Sequence, residues 1–314
     1  MRVRSSNLVL LLALPALPSA VAPFFAHWHW TIDQLACFPV QAMAWLAISA
    51  LLLAAARRWW LALVLAAGAA LAAAAVLPAW LRSPPTPAAT APRGTDVRVL
   101  TFNLLRGSER NAERALALVR KHDPDVVFCS EVTPAWLAAL ADRLPGLPHR
   151  CVRTDDGYYG VALFSRWPLQ GEVVPLGVDW APALRAVVAT PGGPLGVLGV
   201  HTPRPGGGER CRLRDQALAA IPATLAPLPP ARVVLGDFNT TPWNHGFRTL
   251  LASTGLRCAA DGGWQATWPS SLPWPLRVPI DHVLLGGGVA VARHEVGPDF
   301  GSDHLPLITT LVLP

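Results

Sequence analysis

Six short motifs between Asn103 and His304 carry the residue types that metal-assisted proton chemistry requires. They are Thr101-Phe102-Asn103, Ser130-Glu131-Val132, His201-Thr202-Pro203, Gly236-Asp237-Phe238-Asn239, Ile280-Asp281-His282 and Ser302-Asp303-His304. Each stands at the end of an apolar run of the kind that forms a buried strand, so a sheet would bring them to one edge. Hard oxygen ligands suit Mg²⁺, and imidazoles move protons near neutral pH. Oxygen ligands and imidazoles together are the equipment for splitting a phosphodiester.

Each residue also has a plainer reading. Glu131 follows Val126-Val127-Phe128-Cys129, and a carboxylate at the end of a buried strand is costly unless paired or bound to a cation. It reads as a metal ligand, or else as a surface residue just past the strand. Asp237 and Asn239 lie two apart after Val233-Val234-Leu235-Gly236. Extended backbone would point both to one side, with Gly236 allowing close approach. An Asx turn that ends the strand is the alternative. His201 closes Leu198-Gly199-Val200, and Asp281 closes Val278-Pro279-Ile280. A single histidine after a strand is usually structural, but His201 and His304 both lie beside carboxylate-bearing strand ends. Arg166 and Arg185 are candidate phosphate contacts, since guanidinium matches that geometry, or they are ordinary surface charge. Tyr158 and Tyr159 precede a strand at Gly160 and could flank the site. Trp264, Trp268 and Trp274 form a loop that meets substrate or membrane, or they belong to the core.

The elements needed to position these groups are legible from about Val97 onward. Strands are expected at Val97–Phe102, Asp125–Cys129, Gly160–Phe164, Gly171–Leu176, Leu184–Ala189, Leu195–Val200, Arg232–Leu235, Val278–Leu285, Val289–Val296 and Leu305–Leu313. Helices are expected at Glu109–Lys121, Pro134–Leu144, Glu209–Ile221 and Trp243–Ala252. Thr133 supplies an N-cap and Pro134 the first helical position of the second helix. Strands outnumber helices and often follow one another directly. That favours two sheets packed face to face with helices outside over a simple doubly wound sheet.

The first third of the 314-residue chain differs in kind: up to Leu81 its only acid is Asp33. Apolar stretches run from about Leu8 to Phe25, Leu35 to Ala56 and Trp59 to Leu81, each near the ~20 residues that cross a hydrocarbon core. Trp28, Trp30, Trp59, Trp60 and Trp80 mark their ends, as interfacial aromatics do. Helices apolar on every face are otherwise buried core helices. Pro15, Pro18 and Pro23 interrupt the first stretch, and Arg2, Arg4 and Ala20-Val21-Ala22 give it the outline of a signal peptide. It is read here as a retained span. Arg2, Arg4, Arg57 and Arg58 place the N-terminus and the second turn in the cytoplasm by the positive-inside rule. The expected location is therefore the inner (cytoplasmic) membrane, multi-pass, with everything after Leu81 on the periplasmic or extracellular side. The expected divisions are a membrane anchor of about three spans (1–82), a Pro-rich linker (83–95) and a soluble domain (96–314).

A formal net charge of +6 permits an anionic substrate without requiring one. None of the five cysteines is spaced C-x-x-C, so a zinc site is not expected. Disulfides among Cys151, Cys211 and Cys258 are compatible with an oxidising compartment. The spans carry no interior charge, which argues against a channel or transporter.

In order and wording the motifs resemble the endonuclease/exonuclease/phosphatase superfamily, over roughly Val97 to Val312. Gly236-Asp237-Phe238-Asn239 and Ser302-Asp303-His304 are the most specific pieces. The resemblance implies a four-layer α/β sandwich with its site at the top of two packed sheets. It implies Glu131 as the main Mg²⁺ ligand, with Mn²⁺ as an alternative ion, and Asn103 and Asp303 as supports of metal and phosphate. Asp237 and Asn239 would orient water and the scissile phosphate. His201 would contact the phosphate or protonate the leaving oxygen, and Asp281 would orient His304 as general base or phosphate clamp. The implied substrate is a phosphodiester of nucleic acid or a lipid head group, and no protein partner is expected. A non-catalytic, membrane-tethered binding module on the same fold is the alternative. Ser130, where many members have Gln, and Thr202-Pro203-Arg204-Pro205 before Gly206-Gly207-Gly208 depart from the family wording and bear on substrate recognition.

Overall fold

The computed structural model describes residues 5–86, 95–144 and 146–314, so most of the expected linker, residues 87–94, lies outside the described residues. The chain divides into two compact units. One holds the chain up to Arg82 together with Thr240–Arg248, and the other holds Ser83–Asn239 and Thr249–Pro314.

The first unit is helical: α1 (Ser5–Ala13), α2 (Ala16–Phe25), α3 (Trp30–Leu35), α4 (Pro39–Ala55) and α5 (Trp59–Trp80). Two stretches are long and apolar enough to cross a membrane, Asn7–Phe25 and Trp59–Trp80, while α4 is shorter at 17 residues. The packing is inside-out for a water-soluble bundle. Small residues such as Ala20, Ala42, Ala62, Ala69 and Ala72 are buried between helices. Large apolar ones such as Leu51, Trp60 and Leu63 are more than 60% exposed. Among the contacts that join Thr240–Arg248 to this unit, Asp33, its only acid, accepts from His245 N at 2.9 Å, and Arg248 Nη2 donates to the Pro23 carbonyl. Asn244 Nδ2 also donates to the Asp33 carbonyl. A buried carboxylate is thereby spent on the first amide of a helix, a favourable place for negative charge.

The second unit is an α/β sandwich. Its strands are β1 (Asp96–Asn103), β2 (Val126–Ser130), β3 (His149–Arg153), β4 (Val161–Ser165), β5 (Leu169–Val174), β6 (Ala183–Thr190), β7 (Gly193–His201), β8 (Arg232–Asp237), β9 (Arg257–Cys258), β10 (Asp281–Gly286), β11 (Ala290–Val296) and β12 (Leu307–Val312). One six-stranded sheet runs β11-β12-β1-β2-β4-β3 and the other β5-β6-β7-β8-β10-β9. The helices are α6 (Ala112–His122), α7 (Pro134–Leu140), α8 (Gly208–Leu225) and, from Thr249 on, the remainder of α9 (His245–Thr254).

Alternation along the strands builds the layers. Val126 and Phe128 of β2, Val197 of β7 and Val233 and Leu235 of β8 fill the space between the sheets. Val127 and Cys129 turn outward under Leu116 and Val119 of α6 and Trp136 of α7. On the other sheet Leu184 and Ala186 of β6 face the shared core. Arg185 between them faces out and bonds the Thr224 carbonyl of α8. Strands buried on both faces read as unbroken apolar runs, which is why the sequence locates them. Two strands escape the sequence reading. β3 is a half-exposed edge strand with no apolar alternation, and β9 has two residues. The expected strand at Val278 starts only at Asp281, with Val278 limited to a bridge to Trp268; Pro279 has no amide to offer a ladder. None of the described cysteines forms a disulfide.

The sheets meet closely beneath the motif-bearing edge. A Cβ on Gly199 would lie 2.2 Å from the Phe128 ring, and one on Gly236 would lie 2.8 Å from it and 2.0 Å from the Val200 carbonyl. Gly236 also has φ +132°, a backbone that L side chains rarely adopt. A side chain there would thus collide with both the neighbouring strand's backbone and Phe128 of the facing sheet. Gly199→Ala should cost about 1–3 kcal/mol through overpacking; chemical denaturation of the full-length chain checks this, and an unchanged midpoint contradicts it.

Candidate active site

Parallel pairing brings strand ends together. In the β1/β2 ladder Asn103 pairs with Ser130, placing Glu131 next to Asn103. In the β7/β8 ladder His201 pairs with Asp237, and antiparallel β10 begins with Asp281 opposite the same Asp237. The start of β12 lies beside β1, Leu307 pairing with Thr101, which brings the preceding Ser302–His304 turn to the same edge. Ser302 Oγ donates to the Asn103 carbonyl at 2.7 Å and accepts from His304 N at 3.1 Å.

Side chains join across the sheets here. Asn103 Nδ2 donates to Glu131 Oε1 at 3.0 Å and to Asp237 Oδ2 at 3.2 Å. Glu131 Oε2 accepts from Arg106 N at 2.9 Å. Around Asp237 Oδ2 stand His201 Nε2 at 3.5 Å and His304 Nε2 at 3.7 Å. His304 Nδ1 lies 2.8 Å from Asp281 Oδ2, which also accepts from Thr267 Oγ1 at 2.5 Å. Glu131, Asp237, Asp281, His201 and His304 are all buried.

Asn239 adopts φ +48°, so the chain is not extended past Asp237. Asp237 Oδ1 instead accepts from Asn239 N at 2.9 Å in an Asx turn, and Asn239 Nδ2 donates to the Thr202 carbonyl at 3.0 Å. Asn239 thereby ties the loop after His201 to the end of β8. Glu131 also has positive φ, +58°. Two non-glycine residues held there mark stored backbone strain, which collects at functional sites.

Of the expected residues, Asn103, Glu131, His201, Asp237, Asn239, Asp281, Asp303 and His304 converge on this edge. Arg166 and Arg185 do not. Arg166 follows β4 at the end where Ser165 pairs with Val126, the opposite end of β2 from Glu131. It bonds Asp125 and Asp123 there, at 2.7 Å each. Arg185 faces α8 and bonds Glu172 at 2.8 Å. Both are structural ion pairs, so neither is a phosphate contact. The sequence reading assigned no role to Thr267, whose hydroxyl holds Asp281; nothing in its local wording signals that. Trp268, left open before, donates from Nε1 to Asp303 Oδ2 at 3.2 Å.

The two imidazoles are driven apart. Burial holds His201 below its ordinary pKa against the pull of Asp237. Burial also pushes His304 down, but the Asp281 and Asp237 carboxylates more than reverse this and raise it well above the histidine range. Burial lifts the Asp237 carboxyl above the usual carboxylate range, opposed by His304.

The donor set fits a divalent cation. Glu131 is buried with no ion-pair partner among the described residues; its bonds come from an amide side chain and a backbone amide. Asp303 Oδ1 is buried without a hydrogen-bond partner. Buried carboxylates so placed call for a cation, and oxygen donors suit a hard one. Asp237, Asp281 and His304 also offer donor atoms within 4.8 Å of one another, but His304 Nδ1 and Asp281 are already committed to each other.

A two-sheet sandwich thus carries carboxylates, an amide and two histidines on one edge. Residues 100–304 match the model of the Endonuclease/Exonuclease/phosphatase family, and the chain belongs to that family of phosphoester hydrolases. Similar solved structures include the endonuclease/exonuclease/phosphatase from Bacteroides vulgatus (20% identity, TM-score 0.58, covering 70% of this chain and 100% of that one). D. rerio TDP2 complexed with single strand DNA product is another (18%, TM-score 0.57, 70% and 100%). Sphingomyelinase C from Streptomyces griseocarneus is a third (21%, TM-score 0.51, 69% and 99%). A comparison with curated proteins gave no match.

Saturating Mg²⁺ or Mn²⁺ should raise the Tm of the full-length chain in detergent by roughly 5 °C or more, since an ion that binds only the folded state stabilises it. Glu131→Gln should remove most of that shift; a shift of full size in the variant contradicts the ligand assignment.

Proposed function

We propose that the protein is a membrane-anchored, Mg²⁺-dependent phosphodiesterase, acting on nucleic acid or a phospholipid-type substrate. The observation that carries this reading is the bond from Asn103 Nδ2 to both Glu131 and Asp237, with the Asp281–His304 pair beside it. Glu131 and Asp303, with Asn103 beside them, would hold the cation. When bound, it would polarise phosphoryl oxygens and offset charge that develops in the transition state.

The chain's own groups divide the proton work. His304, with its pKa raised by Asp281 and Asp237, is an imidazolium near neutral pH and has no vacant nitrogen with which to take a proton. It acts as a charged donor toward the phosphate. Asp237 is then the base: its Oδ2 accepts the proton of the attacking water, and burial makes it a better acceptor than an exposed carboxylate. Asn239, fixed by its bond to Thr202, keeps its amide oxygen for orienting that water. His201, held neutral by burial, offers the phosphoryl oxygen a hydrogen bond only, and the His304 imidazolium is the group able to protonate the leaving oxygen. Groups whose environments push their pKa values apart are the usual basis for such acid and base assignments.

The membrane part rests on the two membrane-length stretches and on the exposed Leu and Trp side chains of the helical unit. Small residues at helix contacts with large apolar ones outside are what lipid-facing bundles use. The domain scheme is an anchor over 1–82, a linker over 83–95 and a catalytic domain over 96–314. The basic residues Arg2, Arg4, Arg57 and Arg58 favour a catalytic domain on the outer side of the inner membrane.

Asp237→Asn should lower kcat on a generic phosphodiester by about 10²–10⁴-fold. The wild-type rate should fall on the acid side at a pH above the free-carboxylate value of ~3.9, because the Asp237 carboxyl is raised and must be ionised to act. An acid limb that survives in Asp237→Asn with undiminished rate contradicts this. Comparing supercoiled DNA with phospholipid vesicles separates the substrate classes. A reporter fused after Leu81 should be active only outside the cytoplasm; activity confined to the cytoplasm overturns the orientation.

A further inference from the structure

His201 and His304 are oriented by different physics. His304 is clamped by hydrogen bonds, Nδ1 to Asp281 and Asp281 to Thr267. His201 Nδ1 has no side-chain partner among the described residues; a backbone contact with Tyr158, the neighbour of Tyr159, is the polar restraint on the ring. Beside it, Tyr159 stacks on the His201 imidazole with centroids 5.0 Å apart and an interplanar angle of 29°. We infer that Tyr159 is the positioning residue for His201, holding the imidazole plane so that Nε2 stays aimed at the Asp237 side of the site. This inference rests on the proposed phosphodiesterase reading.

Tyr159 is itself fixed from several sides. Its N donates to Asp155 Oδ2 at 3.0 Å, and Arg153 Nη1 donates to its carbonyl at 3.3 Å. The next residue, Gly160, lies so close to the backbone after Glu131 that a Cβ there would be 2.0 Å from the Val132 carbonyl. Val132 N bonds the Gly160 carbonyl, and Asp155 N bonds the Val132 carbonyl. The ring therefore moves with the Glu131 turn of one sheet while it sets a histidine of the other. Trp180 stands edge-on to it, with centroids 4.6 Å apart. The hydroxyl accepts from Arg204 N at 3.4 Å, at the head of the Pro- and Gly-rich loop that follows His201. The ring face and the hydroxyl have separable tasks. The face orients His201, and the hydroxyl steadies the loop Pro203–Gly208.

Offset ring stacking has the reach and directionality for this. Aromatic pairs are favourable at centroid separations of 4.5–7 Å. A misaimed catalytic group can cost on the order of 10²-fold in rate. The stack adds to the Tyr158 backbone contact, and the carboxylate paired with His201 lies at Nε2 rather than Nδ1.

The test is a double-mutant cycle on the full-length chain in detergent, using a generic phosphodiester with Mg²⁺. Tyr159→Phe should keep kcat within about threefold of wild type, because the face is retained. Tyr159→Leu should lower kcat by roughly tenfold or more with KM nearly unchanged. In a His201→Gln background, Tyr159→Leu should have almost no further effect, because residues that act as a unit are non-additive. Equal losses in both backgrounds, or a Tyr159→Phe loss as large as that of Tyr159→Leu, overturn the inference. Full activity in His201→Gln alone instead overturns the underlying reading of the site. Should Tyr159→Leu fail to fold, the His201 ring-proton shifts of wild type and Tyr159→Phe decide. Both should carry the upfield displacement of a stacked ring, and its absence from either contradicts the stacking role.

Discussion

The side-chain amide of Asn103 is the point on which the site turns. One NH₂ group donates to Glu131 in its own sheet and to Asp237 in the facing sheet. It can do so only because the sheets approach closely below it, where Phe128 of β2 fills the hollow over Gly199 and Gly236. Two glycines and one phenylalanine thus set a spacing, and one asparagine reads it. Carboxylates of separate sheets are held side by side without a cationic side chain between Glu131 and Asp237, an arrangement that costs stability unless a cation offsets it. The left-handed backbone at Glu131 and Asn239 adds strain of the kind that persists only where surrounding structure dictates it.

The histidines complete that arrangement in opposite ways. His304 is embedded among Asp237, Asp281 and Asp303, which raise its pKa; His201, buried with a single carboxylate near Nε2, has its pKa lowered by burial. Two identical side chains a few ångströms from the same Asp237 oxygen are thus pushed in opposite directions. The difference comes from surroundings distant in sequence: the Asp281 and Asp237 carboxylates outweigh burial at His304, while burial dominates at His201.

Most of the strand frame was legible because strands buried on both faces leave unbroken apolar runs, as at Val126–Cys129 and Val233–Leu235. β3 was not, since a half-exposed edge strand carries no such pattern. The strand-end residues were legible as motifs, and parallel pairing of β1 with β2 and of β7 with β8 brings them together. The arginines were not legible: Arg166 and Arg185 have the right chemistry, but strand direction and facing decide what a side chain meets. Both are spent on nearby acids. Nor did the sequence reveal that Thr240–Arg248 belongs to the helical unit. Its links are pairings across more than two hundred residues, among them the Asp33 carboxylate accepting from the amide of His245.

Anomalous diffraction from crystals of the full-length protein grown with Mn²⁺ addresses the central claim most directly. A single strong peak in contact with Glu131, on the Asn103 side of the site, is the predicted result. A peak ligated by Asp237, Asp281 and His304 without Glu131, or an ordered site with no bound ion at saturating Mn²⁺, contradicts the account.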